Sequence, residues 1–321
     1  MRVLITFILS TLVMSACSSY KTATFESYLL KSNCNQQNAY VYDSVDVPQP
    51  FQTLEMDSFL IDNFTYKSLN VAHAIGVLPL LKDYGRLNEL YQLDKSTQNQ
   101  VNLIEISQLI SQKINYASLQ ISAVASEMDC EEERTSQIAN YLKNLDDDKE
   151  SKLTATSIVV GASGAILTGI YSKQDAGGYI GVTTGIIEAG LGVLILINTR
   201  KIEFQHPRNA LRDIWEGNYV SSSFPASIWY YLSHHNPAVP EEKALRAQII
   251  EKWIDFGQIS TSDSKKNKRT LEMFFNNGGK YSAEQLSNRA DMYDQVESNI
   301  NLMKQDLKSL SEETNNLFQL K

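Results

Sequence analysis

The sequence predicts a mainly α protein in which long helices and a coiled coil flank a glycine-patterned apolar helical hairpin. Apolar residues recur at spacings of three and four along two segments, 103–145 and 293–317, and this spacing places them on one helix face. No proline lies between Pro79 and Pro207, so a long helix in this range would not be broken by proline. Residues 153–197 form two apolar segments in which small residues fall at every fourth position. Together these three patterns predict helices throughout.

The first sixteen residues have the features of a secretion signal. Arg2 gives a short positive start, residues 3–13 are apolar, and Met14-Ser15-Ala16-Cys17 ends the run with small residues. An apolar stretch of this length is typical of a cleaved signal peptide and is too short for a spanning helix. We therefore expect residues 1–16 to be removed.

The tetrapeptide Met14-Ser15-Ala16-Cys17 resembles the lipobox of bacterial lipoproteins, with Met14 where leucine is usual. In that family the cysteine thiol takes a diacylglycerol, the chain is cut before the cysteine, and the new amine is usually acylated. The resemblance implies that Cys17 becomes a lipidated N-terminus whose acyl chains have membrane lipid as their partner. Ser18, in place of aspartate, resembles lipoproteins sorted to the outer membrane, which implies anchoring in the bacterial cell envelope, facing the periplasm. An ordinary cleaved signal with an incidental cysteine is the alternative.

Charge and cysteine content restrict the classes of partner. The chain carries a net charge of −8, and loss of Arg2 with the signal makes it one unit more negative. An acidic chain without a basic stripe argues against nucleic acid as a partner. Cys34 and Cys130 are the cysteines left after processing, and in an oxidising compartment they could pair and close a long loop. Two unpaired thiols are the alternative.

Shifts in composition divide the chain into six segments. Polar residues rich in Ser, Asn, Gln and Tyr come after the signal, and short helices broken at Pro79 and Gly85 are expected after them. The predicted segments are a signal peptide (1–16), a lipidated tether (17–55), a helical head and long helix (56–152), an apolar helical hairpin (153–197), a Trp/Pro-rich helical region (198–280) and a C-terminal coiled-coil helix (281–321).

Two segments carry heptad-like patterns. In the first, Glu131 and Thr135 form a polar gap in the apolar register, and a helix break near 146–148 is an alternative to one unbroken helix. In the second, Ser282 and Gln285 resemble a capping box ahead of a regular alternation of three and four. The pattern predicts helix pairing but leaves open whether the partner is the first segment or another chain.

The apolar hairpin is the most informative part of the mature chain. Its small residues would form a smooth ridge on each arm, which lets two helix backbones approach closely and resembles the glycine-zipper hairpins of membrane-inserting proteins. Each arm is near the length that crosses a bilayer, yet Glu188 lies within the second arm. Two hypotheses result. In one, the hairpin is a membrane-inserting element with Glu188 facing the interior or lumen of a helical assembly; in the other, it is the dry tip of a soluble helical bundle with Glu188 at its surface. The ridge residues are Ser157, Gly161, Ala165 and Gly169 in the first arm and Gly177, Gly181, Gly185 and Ala189 in the second.

No catalytic, cofactor or metal site is expected. His206, Asp213 and the pair His234-His235 fit no zinc spacing, so solvated surface histidines are the favoured interpretation. The acidic runs 131–133 and 146–148 lack the alternating ligands of a calcium loop, and solvated helix faces are expected there. An enzyme is therefore disfavoured.

Aromatic residues concentrate just after the hairpin. Trp215 and Trp229 could form a binding interface, because Trp, Tyr and Arg carry much of the energy of interfaces. Alternatives are a location at the membrane–water boundary and a small folded cap.

The whole pattern is compatible with two functions. The first is a non-enzymatic envelope scaffold that oligomerises or bridges membranes, with the hairpin reaching a second membrane or a membrane protein. The second is a membrane-perforating protein, since long helices around an apolar hairpin resemble, in general layout, the cytolysin A type of pore-forming toxin.

Overall fold

The protein is mainly α-helical, which confirms the predicted fold class. The computed structural model describes Cys34 and residues 39–171, 200–234 and 243–319, with residue 153 and residues 156–171 described by their backbone alone. Cys17, His235 and the second arm of the hairpin lie outside the described residues.

Among the described residues, the single 3₁₀ turns Ser44–Asp46 and Phe51–Thr53 and then three short α-helices precede the long helix. Asp57 and Thr65 cap the first two through side-chain oxygens that accept backbone N–H groups in the first turn. Pro79 lies in the first turn of the third helix, where backbone N–H groups have no partner within the helix, so its missing N–H costs no hydrogen bond. The helices are α1 (Ser58–Asn63), α2 (Tyr66–Ala74) and α3 (Leu78–Leu93).

Gly85 lies inside α3, so the predicted helix break at this residue is wrong. A Cβ on Gly85 would lie 2.6 Å from Cδ1 of Phe59, on α1. Because Gly85 has no side chain, the Phe59 ring can pack directly against α3. This packing offsets the roughly 1 kcal/mol that glycine costs a helix interior.

The longest element is α4 (Thr97–Tyr171), a helix of 75 residues that continues through 146–148 without a break. At a rise of 1.5 Å per residue it is roughly 110 Å long. Nearly every position of its predicted apolar register is buried, and Ile106 and Leu145 are half-buried. The buried set is Leu103, Ile110, Ile114, Ala117, Ile121, Val124, Met128, Ile138 and Leu142.

The C-terminal helix α9 (Ala283–Gln319) packs along α4 in the most extensive helix–helix interface of the described residues. It begins at the predicted capping box: the Ser282 N–H donates to Gln285 Oε1 at 3.0 Å, and the Gln285 N–H donates to Ser282 Oγ at 3.3 Å. Every predicted seam position from Tyr293 to Leu317 is buried. The partner left open by the sequence is thus α4 of the same chain.

Residues 200–234 and 243–281 form a compact unit beside the helix pair, which we call the cap. Its two strands pair antiparallel, with Ile202 opposite Tyr281 and Gln205 opposite Gly278. Its helix α6 (Ala226–Ser233) packs on α2 and α9, and its helix α7 (Leu245–Asp255) packs on α6 and α9. Trp229, Trp253 and Phe274 fill its core. The elements are β1 (Ile202–Gln205), α5 (Ala210–Glu216), α6 (Ala226–Ser233), α7 (Leu245–Asp255), α8 (Lys265–Phe275) and β2 (Gly278–Tyr281).

The first arm of the predicted hairpin continues α4 as helix as far as Tyr171. It includes the backbone of Ser157, Gly161, Ala165 and Gly169. The ridge residues of the second arm, and Glu188 with them, lie outside the described residues. Within the described part of the chain, no helix combines the length and apolar character needed to cross a membrane.

Candidate functional site

A disulfide joins Cys34 to Cys130, midway along α4. The two Cα atoms are 5.4 Å apart and the S–S bond is 2.08 Å, although the residues are 96 positions apart in sequence. The start of the described chain is therefore fixed to the long helix at Cys34. The alternative of two unpaired thiols does not describe this structure.

Residues 39–55, predicted as part of a tether, are bound to the folded body. The Tyr40 N–H donates to the Ser222 carbonyl at 3.0 Å, and the Ser221 N–H donates to the Tyr42 hydroxyl at 3.0 Å. Burial raises the pKa of Tyr42 to about 12, so the phenol stays neutral. Phe51 is buried as well. Aromatic packing and hydrogen bonds therefore hold residues 39–55 in place.

Arg208 connects α4, the cap and the N-terminal segment. Its Nε lies 2.6 Å from Glu127 Oε1 and its Nη2 lies 3.1 Å from Glu127 Oε2, a two-point ion pair with α4. The same guanidinium donates to the carbonyls of Ser222 and Ser223 and lies 5.7 Å from the Tyr40 ring. Desolvation raises the pKa of Glu127, while Arg208 opposes that rise. Arg208 is the point at which three parts of the chain meet.

A second pair lies one turn further along α4. Arg134 Nη2 is 2.5 Å from Glu131 Oε2, and the guanidinium lies 4.4 Å from the centroid of Phe204 on β1. Both side chains are buried, so the expectation of a solvated acidic face is wrong for Glu131. Its charge is neutralised by a partner at i+3 and covered by the cap.

His206 is also buried, which corrects the expectation of a solvated surface histidine. The Tyr281 hydroxyl donates to the Met273 carbonyl at 2.7 Å, so its oxygen accepts from His206 Nε2 at 2.8 Å. Burial, reinforced by Arg289, lowers the pKa of His206 to about 2. A ring this hard to protonate stays neutral and does not serve as a base at neutral pH.

Arg289 of α9 is fully buried and holds the turn between α8 and β2. Its Nη1 donates to the Phe274 carbonyl at 2.7 Å, and its Nη2 donates to Asn209 Oδ1 and the Tyr293 hydroxyl. Asn209 in turn donates to the carbonyls of Phe274 and Asn276. These bonds fix the cap to α9 without leaving a charged group open to a substrate.

We call Cys34, Cys130 and the polar network of Glu127, Arg208, Glu131, Arg134, His206 and Arg289 the junction. Glu127 and Glu131 are each paired with an arginine, and Arg208 and Arg289 also donate to backbone carbonyls, so the arrangement is suited to holding segments together. Among the described residues, Arg134 Nη1, Arg289 Nε and His206 Nδ1 are buried without a hydrogen-bond partner. Within the described ranges, no three His, Cys, Asp or Glu side chains are grouped so that they could hold a metal. The one advance signal in the sequence was the polar gap at Glu131 and Thr135, where a buried seam carries polar residues.

The remaining predicted residues have local partners. Trp229 is 1% exposed and donates Nε1–H to the Asn218 carbonyl at 3.0 Å, so the cap interpretation applies to it and the interface interpretation does not. Trp215 is partly exposed and stacks on Phe275 at 4.7 Å between ring centroids. His234 stacks on Tyr230 at 4.3 Å.

Asp213 accepts hydrogen bonds from the Ser221 hydroxyl and the Ser223 N–H. This carboxylate is therefore engaged in a turn of the cap, and among the described residues it belongs to no group that could hold a metal.

No protein-family model matches the chain, and neither a curated protein nor a solved structure is similar enough to count as a match.

Proposed function

We propose that the chain is a lipid-anchored, non-enzymatic scaffold of the bacterial cell envelope. The lipobox-like Met14-Ser15-Ala16-Cys17 indicates an anchor at Cys17, and Ser18 favours the outer membrane with the body facing the periplasm. Two or three acyl chains give stable anchoring, because each buried methylene contributes roughly 0.8 kcal/mol. The junction, in which both carboxylates are paired with arginines, supports a structural role over a catalytic one.

The main observation behind the proposal is that Cys130, where the disulfide attaches the N-terminal segment, lies far from the start of the apolar hairpin along the same continuous helix. Cys130 and residue 153, where the apolar hairpin begins, are 23 residues apart in α4, which corresponds to roughly 35 Å. The 17 residues from Cys17 to Cys34 extend at most roughly 60 Å. The scaffold would thus hold its apolar hairpin away from the lipid anchor, within reach of a second membrane or a membrane protein.

Because α9 packs along α4 in the same chain, the pair would form a stiff base for the hairpin. The seam of α9 is used within the chain, so self-association would need another surface. The outward side of α4 offers one, since Val101 and Leu119 are exposed there. A helical partner or a second copy is therefore expected to contact this side and not the seam.

Liposome flotation tests the membrane contact. The chain from residue 17 carrying Cys17→Ser has no lipid, so flotation reports on the protein surface alone. A second variant adds Gly181→Asp and Gly185→Asp, and a matched control adds the same two charges at the same spacing in the far end of α4, as Gln98→Asp and Asn102→Asp. We expect the unlipidated chain and the control to float and the hairpin variant to stay in the dense fraction.

A different result would overturn the membrane part of the proposal. If none of the three proteins floats and the hairpin variant unfolds, the glycines pack within a helical bundle, and Cys17 alone would attach the protein to lipid. Mass spectrometry of the membrane-extracted chain tests that attachment separately, since a Cys17 without diacylglycerol would contradict the anchor itself.

The second candidate function is a membrane-perforating protein. The observation that favours it is the continuity of α4 with the first apolar arm, which would let one rigid helix carry the arm into a bilayer. In that case Glu188 would face a lumen. Release of an entrapped dye from vesicles by the unlipidated chain would favour perforation, while binding without release favours the scaffold.

A further inference from the structure

We propose that a groove at the N-terminal end of α4 binds a neutral oligosaccharide. The groove lies between α3, α4 and the C-terminal end of α9 and has a volume of about 540 Å³. This volume falls within the roughly 300–1,000 Å³ of typical small-molecule sites. The site stands apart from the junction and is independent of the proposed scaffold function.

One face of α4 forms the long wall of the groove. Its lining residues run from Gln100 to Asn115 at spacings of one, three and four, so they share a face over about four helical turns. That stretch is roughly 22 Å long. The groove is therefore elongated, as a chain of several sugar rings requires.

Aromatic rings form the opposite side. Tyr84 and Tyr91 are two turns apart on α3, and Phe318 of α9 lies 4.8 Å from Tyr84 between ring centroids. Tyr84 is buried and belongs to the floor, whereas Tyr91 is partly exposed. Sugar rings carry C–H groups on their faces, and these pack against flat aromatic surfaces of this kind.

Amides, hydroxyls and the apolar side chains of Leu103 and Ile104 complete the lining. Gln108, Gln112 and Asn115 each offer two N–H donors and a carbonyl acceptor, which suits hydroxyl groups that both donate and accept. The hydroxyls of Ser107 and Ser111 donate to the carbonyls of Leu103 and Ser107, at 2.7 and 2.9 Å. Their oxygens are thereby oriented with lone pairs left to accept from a ligand.

The charge of the lining selects the class of ligand. Among the described residues that line the groove, none is charged, which disfavours phosphates, carboxylates and amines because their charge would be unmatched. An acyl chain is disfavoured as well, since it would cover the amides and serine hydroxyls without replacing their hydrogen bonds to water. A neutral, hydroxyl-rich molecule with apolar ring faces satisfies both parts of the lining.

Calorimetric titration of the unlipidated chain with chitotetraose and maltotetraose tests the site. We expect saturable binding of at least one of them, about tenfold weaker in Tyr91→Ala and in the double variant Gln108→Ala/Gln112→Ala. Tyr116→Ala is the matched control, because this exposed tyrosine of α4 lies outside the groove, and its affinity should equal that of the parent. Circular dichroism confirms that each variant keeps its helices.

Three outcomes would overturn the inference. These are the absence of saturable binding at millimolar concentrations of both sugars, equal affinity in the parent and the groove variants, and saturable binding of myristate displaced by neither sugar. The last would assign the groove to an acyl chain.

Discussion

Loss of the Cys34–Cys130 disulfide should destabilise the folded body by as much as about 4.7 kcal/mol. The bond closes a loop of 96 residues in sequence, and a cross-link of about this span removes that much loop-closure entropy from the unfolded chain. The folded state changes little, because Tyr40 and Tyr42 keep their hydrogen bonds to Ser222 and Ser221. The effect therefore acts mainly on the unfolded ensemble.

Urea unfolding of the parent and of Cys34→Ser/Cys130→Ser measures this effect. The free energy of unfolding should fall and the slope with urea should rise, because an uncross-linked unfolded chain exposes more surface. A reductant should reproduce both changes in the parent and alter nothing in the double variant. A loss below about 1 kcal/mol with an unchanged slope would contradict this prediction, because it would mean that the unfolded chain is no freer without the bond.

Two further predictions concern single residues of the fold. Gly85→Ala should destabilise the body by about 1 kcal/mol net, because the clash with Phe59 outweighs the gain in helix propensity. In a double-mutant cycle measured by urea unfolding, Gly85→Ala/Phe59→Ala should lose less free energy of unfolding than the sum of the two single variants. Strictly additive losses would contradict the contact. The pKa of His206 is lowered from 6.5 to about 2 in the folded chain, so between pH 2 and pH 6.5 this histidine is protonated only in the unfolded chain. The free energy of unfolding should therefore fall by up to about 1.4 kcal/mol for each pH unit below 6.5. His206→Gln should remove that part of the slope in urea unfolding at successive pH values, and parallel slopes for the two proteins would exclude a buried neutral histidine.

The two long helices could be predicted from the sequence because their signal is local. Apolar spacings of three and four decide which face is buried, and the capping box at Ser282 sets the start of α9. The same local rules failed at Gly85, where a contact with Phe59 from another helix compensates for the poor helix propensity of glycine. No contact among the described residues bears on the apolar hairpin, so the hairpin stays a prediction.

The junction could not be predicted, because its partners are distant in sequence. Arg208 and Glu127 are 81 residues apart, and His206 and Tyr281 are 75 apart. Arg289 precedes the predicted seam of α9, and a charged residue there is normally assigned to solvent. Its burial depends on the Phe274 carbonyl at the C-terminal end of α8, and no periodicity reveals this partner. The four-residue strands were missed for the same reason, since each forms only with the other in place.

Linking of two membranes tests the scaffold proposal most directly. The lipidated chain would be inserted through Cys17 into unlabelled vesicles, then mixed with dye-loaded vesicles that contain no protein. We expect the two populations to sediment together without dye release. Gly181→Asp/Gly185→Asp should abolish the linking, while Gln98→Asp/Asn102→Asp should preserve it. Vesicles that stay separate, or dye that escapes before any linking, would contradict a scaffold that holds its hairpin toward a second membrane.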